Sequence, residues 1–129
     1  MKIICWNTQG VKKAQVLQEV KFLTNTHKLD LIFLSETLVN ETNICRILPQ
    51  MGLEHYDFVS PVNHARGIAV LWNNGNVHAS ILLKEQREIH MMVHDTKNFK
   101  NTIESGIYAP AQNRDKNKFW SIYLNYIML

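Results

Sequence analysis

Two polar side chains stand where chemistry could be done: Asn7, directly after the run KIICW, and Glu36, directly after LIFLS. If both runs are inner strands of an α/β sheet, both side chains lie at the carboxyl edge, where such sheets bind ligands. An amide and a carboxylate form an oxygen-only donor pair, which suits Mg²⁺ or Mn²⁺, hard cations that keep several waters and take few protein ligands. Spacing alone leaves open a plainer reading in which Asn7 serves only a turn and Glu36 is a solvated residue. The other reactive types are poorly arranged. None of the six histidines forms the helical pair of a zinc site, although His90 and His94 are four apart in a strand-like run. Ser35 and Ser105 lack a glycine elbow, and no phosphate-binding glycine loop is present.

The elements that must position Asn7 and Glu36 are legible from residue periodicity. Lys2 to Trp6 is a β-branched and aromatic run closed by Asn7-Thr8-Gln9-Gly10; Val16, Leu17, Val20 and Leu23 then repeat at helical spacing, and DLIFLSE follows as a strand. Strands joined by one helix should be parallel. Asn40 is placed to cap a short helix with Ile44, Ile47 and Leu48 inward, broken at Pro49 and closed by Gly52. Five strands are expected next, at residues 55–60, 67–72, 77–83, 89–94 and 102–108, with Asn74-Gly75 as a hairpin turn between the second and third. GIAVLW has no polar alternation and is expected to be buried on both faces. From about Arg114 the spacing is helical again, and the sequence stops at Ile127-Met128-Leu129 without a helix-ending signal, as though cut.

A chain of 129 residues, 46% hydrophobic and 19% charged, suits one compact domain with a real core. No apolar stretch is long enough to cross a membrane, and the N-terminus does not read as a signal peptide, so a soluble intracellular protein, nuclear or cytoplasmic, is expected. Cys5 and Cys45 sit among apolar neighbours and read as reduced, buried thiols. The net charge of +3 is uneven: residues 1–64 hold six basic and six acidic side chains, residues 65–129 eight and five. That asymmetry fits a polyanionic partner.

Taken in order, MKIICWNTQG, DLIFLSET, GIAVLW and GIYAPAQNRDKNKFW resemble the endonuclease/exonuclease/phosphatase family, a DNase I-like β-sandwich flanked by helices. The chain is most similar to the N-terminal half of the apurinic-endonuclease-like domain that opens plant non-LTR (LINE-type) retrotransposon polyproteins. The resemblance implies that Glu36 is the direct metal ligand, with Mg²⁺ or Mn²⁺ as cofactor and Asn7 helping to hold the metal and the phosphate-side network. It implies that Tyr108 points its hydroxyl at the scissile phosphate, that Pro110 stops its strand, that Arg114 to Trp120 start the helix that packs beneath, and that Arg114 contacts nucleic acid. DNA is the implied partner, and no membrane.

The family's later landmarks are absent from these 129 residues. There is no Gly-Asp-Phe-Asn strand end to supply the general base, no Ser-Asp-His motif, and no histidine after Tyr108. A base is worth ~10²- to 10⁴-fold in rate, so a catalytically incomplete site is expected. The family's opposing sheet draws on the same absent half, which predicts an uncovered apolar face on strands such as GIAVLW and self-association through it. Position 9 is Gln where relatives that process damaged DNA carry an acid, position 111 is Ala where some carry Asn, and Arg66 stands before Gly67 where Gly-Gly is frequent. A non-catalytic module that binds nucleic acid or protein is the competing expectation.

Overall fold

The computed structural model describes residues 1–63, 65–109 and 117–118. Strand β1 (Ile3–Asn7), helix α1 (Ala14–His27) and strand β2 (Leu31–Ser35) form the expected opening unit, with β1 and β2 parallel. Helix α2 (Glu41–Ile47) is capped by Asn40, whose side-chain oxygen accepts the Asn43 N–H at 2.9 Å. It runs into a 3₁₀ turn over Leu48–Met51 that contains Pro49 and is closed by Gly52 at φ 88°. Five strands follow: β3 (His55–Val59), β4 (Ile68–Trp72), β5 (Val77–Glu85), β6 (Glu88–Asp95) and β7 (Lys100–Ile107).

The strands make two sheets, ordered β1-β2-β4-β3 and β5-β6-β7. Layering follows from which residues are apolar on which side. Ile32, Leu34, Ala69 and Leu71 face α1 and α2, where Val16, Val20, Ile44 and Leu48 complete one core. Leu31, Phe33, Ile68, Val70 and Trp72 face the second sheet and pack on Val77, Ile89, Met91 and Val93. The first sheet is therefore the middle layer, and its two inner strands, β2 and β4, lack polar alternation because both of their faces are buried. In β6 the alternation is strict: Ile89, Met91 and Val93 point inward, while His90 and His94 take cross-strand partners in Ser105 and Asn101, each at 2.7 Å. These are ordinary strand histidines.

Three expectations need correction. Asn74-Gly75 does not join a hairpin: β4 is already paired by β2 on one side and β3 on the other, so the turn carries the chain to the second sheet. The β4 face expected to be bare is covered by β5 to β7, and every residue of the strand is buried. Exposed large apolar residues such as Phe22, Phe99 and Ile103 stand on separate elements. Finally, Cys5 and Cys45 are free but exposed, Cys5 because β1 is an edge strand. No helix among the described residues is long and apolar enough to cross a membrane.

Close packing of the two sheets requires one particular glycine. A Cβ on Gly106 of β7 would overlap the ring of Phe33 on β2. The contact brings the end of β7 over the end of β2, and so brings Tyr108 toward Glu36.

Candidate functional site

The backbone around Glu36 is tied down from both sides before its side chain does anything. Strands β1 and β2 end in register, Asn7 opposite Ser35. Beyond them the buried Thr8 shares its hydroxyl proton between the Ser35 and Glu36 carbonyls, each at 3.1 Å. Gly10 N–H donates to the Glu36 carbonyl at 2.9 Å and Val11 N–H to that of Thr37 at 3.1 Å. On the other flank, Leu38 N–H reaches the Arg66 carbonyl at 3.0 Å and Thr37 N–H that of Gly67 at 3.4 Å. Gly67, at φ 91°, has no room for a side chain: a Cβ would collide with Thr37 Oγ1 and stand 3.2 Å from Pro61.

Held in this way, Gln9, Glu36 and Leu38 adopt left-handed φ values of 52°, 53° and 59°. Each such non-glycine residue costs of order 1–3 kcal/mol and persists only where its surroundings over-determine it. Three of the six non-glycine residues with such φ values among the described residues gather here, the others being Lys28, Asn63 and Phe99.

Side chains from both sheets converge here. Glu36 is only 9% exposed, and its Oε1 accepts the Tyr108 hydroxyl at 2.7 Å across 72 residues of sequence. Arg66 Nη1 lies 3.6 Å from the same oxygen. Tyr108 N–H donates to the Arg87 carbonyl at 2.8 Å, and the Arg87 guanidinium carbon sits 5.4 Å from the centre of the tyrosine ring, a cation–π arrangement. Burial, then the hydrogen bond and charge of Glu36, push the Tyr108 phenol above its ordinary value; Arg66 and Arg87 oppose that more weakly. Arg87 Nη1 is buried and has no hydrogen-bond partner among the described residues.

Of the residues singled out from sequence, Glu36 and Tyr108 are therefore in direct contact. Asn7 ends the adjacent strand, but it is exposed and its amide oxygen accepts the Gln9 N–H at 3.2 Å, closing a local turn. Arg114, Pro110 and the helix expected from residue 114 lie outside the described residues. Sequence reasoning does not select Arg66 or Arg87 for the site. Arg87 sits in the tight turn between β5 and β6, far in sequence from any site motif, and the antiparallel pairing of β6 with β7, Glu88 opposite Ile107, brings it beside Tyr108.

Among the described residues no three His, Cys, Asp or Glu side chains gather as a metal cage. The donor set is a single carboxylate, with Oε1 engaged and no hydrogen bond to Oε2 from the described residues. That does not fit zinc, which needs three or four side-chain ligands. It fits Mg²⁺ or Mn²⁺, which accept one or two carboxylates and complete their shell with water and substrate oxygens.

Comparison with solved structures gives AP endonuclease LMAP from Leishmania major, 19% identical, with a TM-score of 0.60 over 83% of this chain. The chain spans 39% of that protein's length. No protein-family model and no curated protein sequence matches the chain. At that identity the likeness concerns the fold. The chain adopts a DNase I-like fold, two stacked sheets with helices on the outer face of one.

Proposed function

We propose that this chain forms the metal side of a Mg²⁺-dependent phosphodiesterase site of the DNA-endonuclease type, in a domain of retroelement origin, and that these 129 residues alone do not complete the site. The observation that carries the reading is the 2.7 Å hydrogen bond between Tyr108 and Glu36, which joins the two sheets at the strained strand ends. The retroelement origin rests on the ordered resemblance of the four sequence motifs. A divalent ion bound there supplies Lewis-acid stabilisation to a phosphoryl oxygen. Glu36 would hold that ion through its open oxygen, and Asn7 would join it by turning its amide away from Gln9. Tyr108, kept protonated by burial and by Glu36, would donate its single hydroxyl proton to a phosphate oxygen by exchanging it from Glu36.

The same arrangement supports nucleic-acid binding without hydrolysis. Arg66 lies at the Glu36 carboxylate, Arg87 lies over the Tyr108 ring, and the second half of the chain carries the basic excess. The experiment is a supercoiled-plasmid nicking assay in Mg²⁺ beside a salt titration of DNA affinity, on wild type and Glu36→Ala. The expected result is salt-dependent binding with a slope of several charges and no nicking that depends on Glu36. Nicking that vanishes in Glu36→Ala would mean the chain contains its own base, so the site is complete. An absence of DNA binding even at low salt would remove nucleic acid as the partner.

A further inference from the structure

We infer that Arg66 is a resident counter-cation at Glu36, one that occupies the carboxylate in the absence of metal and sets how tightly a divalent ion binds there. The inference rests on the reading of Glu36 as a metal ligand and adds a residue that governs the affinity. A carboxylate with so little exposure needs a compensating charge or a full set of hydrogen bonds. Glu36 has one hydroxyl donor, Tyr108, and one guanidinium, Arg66, both directed at Oε1.

The geometry of Arg66 is set by its backbone. Its carbonyl accepts the Leu38 N–H at 3.0 Å, and the next residue, Gly67, is wedged against Thr37 and Pro61. The Arg66 Cα is thereby fixed beside the Glu36 turn while its side chain stays 55% exposed, against 11% for the Glu36 side chain. One partner is rigid and buried, and the other can leave into solvent. A divalent ion arriving at Oε2 meets a carboxylate whose charge is already shared with Arg66, and it lies close to a like charge on the far side. Both effects weaken metal binding, and both are damped by the water around Arg66. Removing the charge should therefore tighten metal binding by a moderate factor and leave the fold intact.

The test uses Mn²⁺ alone as the probe, followed by electron paramagnetic resonance of the free ion, on wild type, Arg66→Gln, Arg66→Lys and Glu36→Gln. Circular dichroism melts confirm that each variant is folded. Arg66→Gln should bind Mn²⁺ roughly three- to tenfold more tightly than wild type, an effect that shrinks as salt is added. Arg66→Lys, which keeps the charge, should stay near wild type, and Glu36→Gln should lose the site. Equal or weaker binding by Arg66→Gln, with the site still lost in Glu36→Gln, would overturn the role of Arg66 and leave Glu36 as the metal ligand. Binding that is unchanged in Glu36→Gln would overturn the metal reading itself, and the inference with it.

Discussion

Strand β2 is bracketed by two buried carboxylates: Asp30, 6% exposed, before it and Glu36, 9% exposed, after it. They solve the same problem differently. Asp30 takes neutral donors fixed by the fold: the Lys2 N–H reaches Oδ2 at 2.8 Å and the Asn76 amide reaches Oδ1 at 3.4 Å. Its own backbone exchanges hydrogen bonds with Lys2 and Asn73, each at 3.0 Å. Glu36 takes an ionisable hydroxyl and a mobile cation on one oxygen, leaves the other without a partner among the described residues, and sits on left-handed backbone. Burial of an acid is therefore not what separates a structural carboxylate from a candidate functional one. The difference lies in whether its partners can be exchanged.

The largest effect is expected at the scaffold of the Glu36 end. Gly67→Ala combines an unfavourable positive φ with a Cβ forced onto Thr37 and Pro61, and should cost about 2–4 kcal/mol in urea unfolding. A near-neutral result would mean that the loop at 65–67 adapts freely, and the rigid placement of Arg66 would fail with it. Asp30→Ala should follow at about 2–3 kcal/mol, because it strips a charged acceptor from the Lys2 N–H and the Asn76 amide. Glu36→Gln keeps an oxygen for Tyr108 and loses only the charge facing a solvated Arg66, so it should stay within about 1 kcal/mol of wild type. If Glu36→Gln proves as costly as Asp30→Ala, the two carboxylates are both structural and the contrast collapses.

The same contrast separates what is legible in the sequence from what is not. The runs LIFLS and IAVLW are continuously apolar because helices cover one face and a sheet the other, so the buried strands and the helix between the first two are visible as pattern. Glu36 can be singled out because it stands at a strand end, where the apolar run breaks, whereas Tyr108 follows a polar strand and is singled out only by the resemblance of its motif. The Asn74-Gly75 turn misleads because a dipeptide encodes a local reversal and says nothing of whether the preceding strand has a free edge. Arg66 and Arg87 escape assignment to the site because their places are set by strand pairing, β2 with β4 and β6 with β7, a long-range relation with no local signature. Cys5 misleads for the same reason: apolar neighbours in sequence do not reveal that β1 lies at a sheet edge.

The smallest expected effect sharpens the comparison most, because Asp30 has no titratable hydroxyl among its partners and Glu36 has one. The Tyr108 phenol is held above the ordinary tyrosine value of about 10, chiefly by burial and next by Glu36. For a group whose folded pKa is raised, the stabilising contact is complete below the unfolded value and is lost as pH climbs through the folded one. The Tyr108 to Glu36 hydrogen bond should thus be intact across the neutral range and break only in strong alkali. An absorbance titration of phenolate, with Tyr108→Phe subtracted to isolate this residue among the four tyrosines, should show its midpoint above the ordinary value. Glu36→Gln should bring the midpoint part of the way back, since burial persists when the charge is gone. A complete return to the ordinary value would assign the whole shift to Glu36, whereas no change at all would mean that the two side chains do not meet in solution.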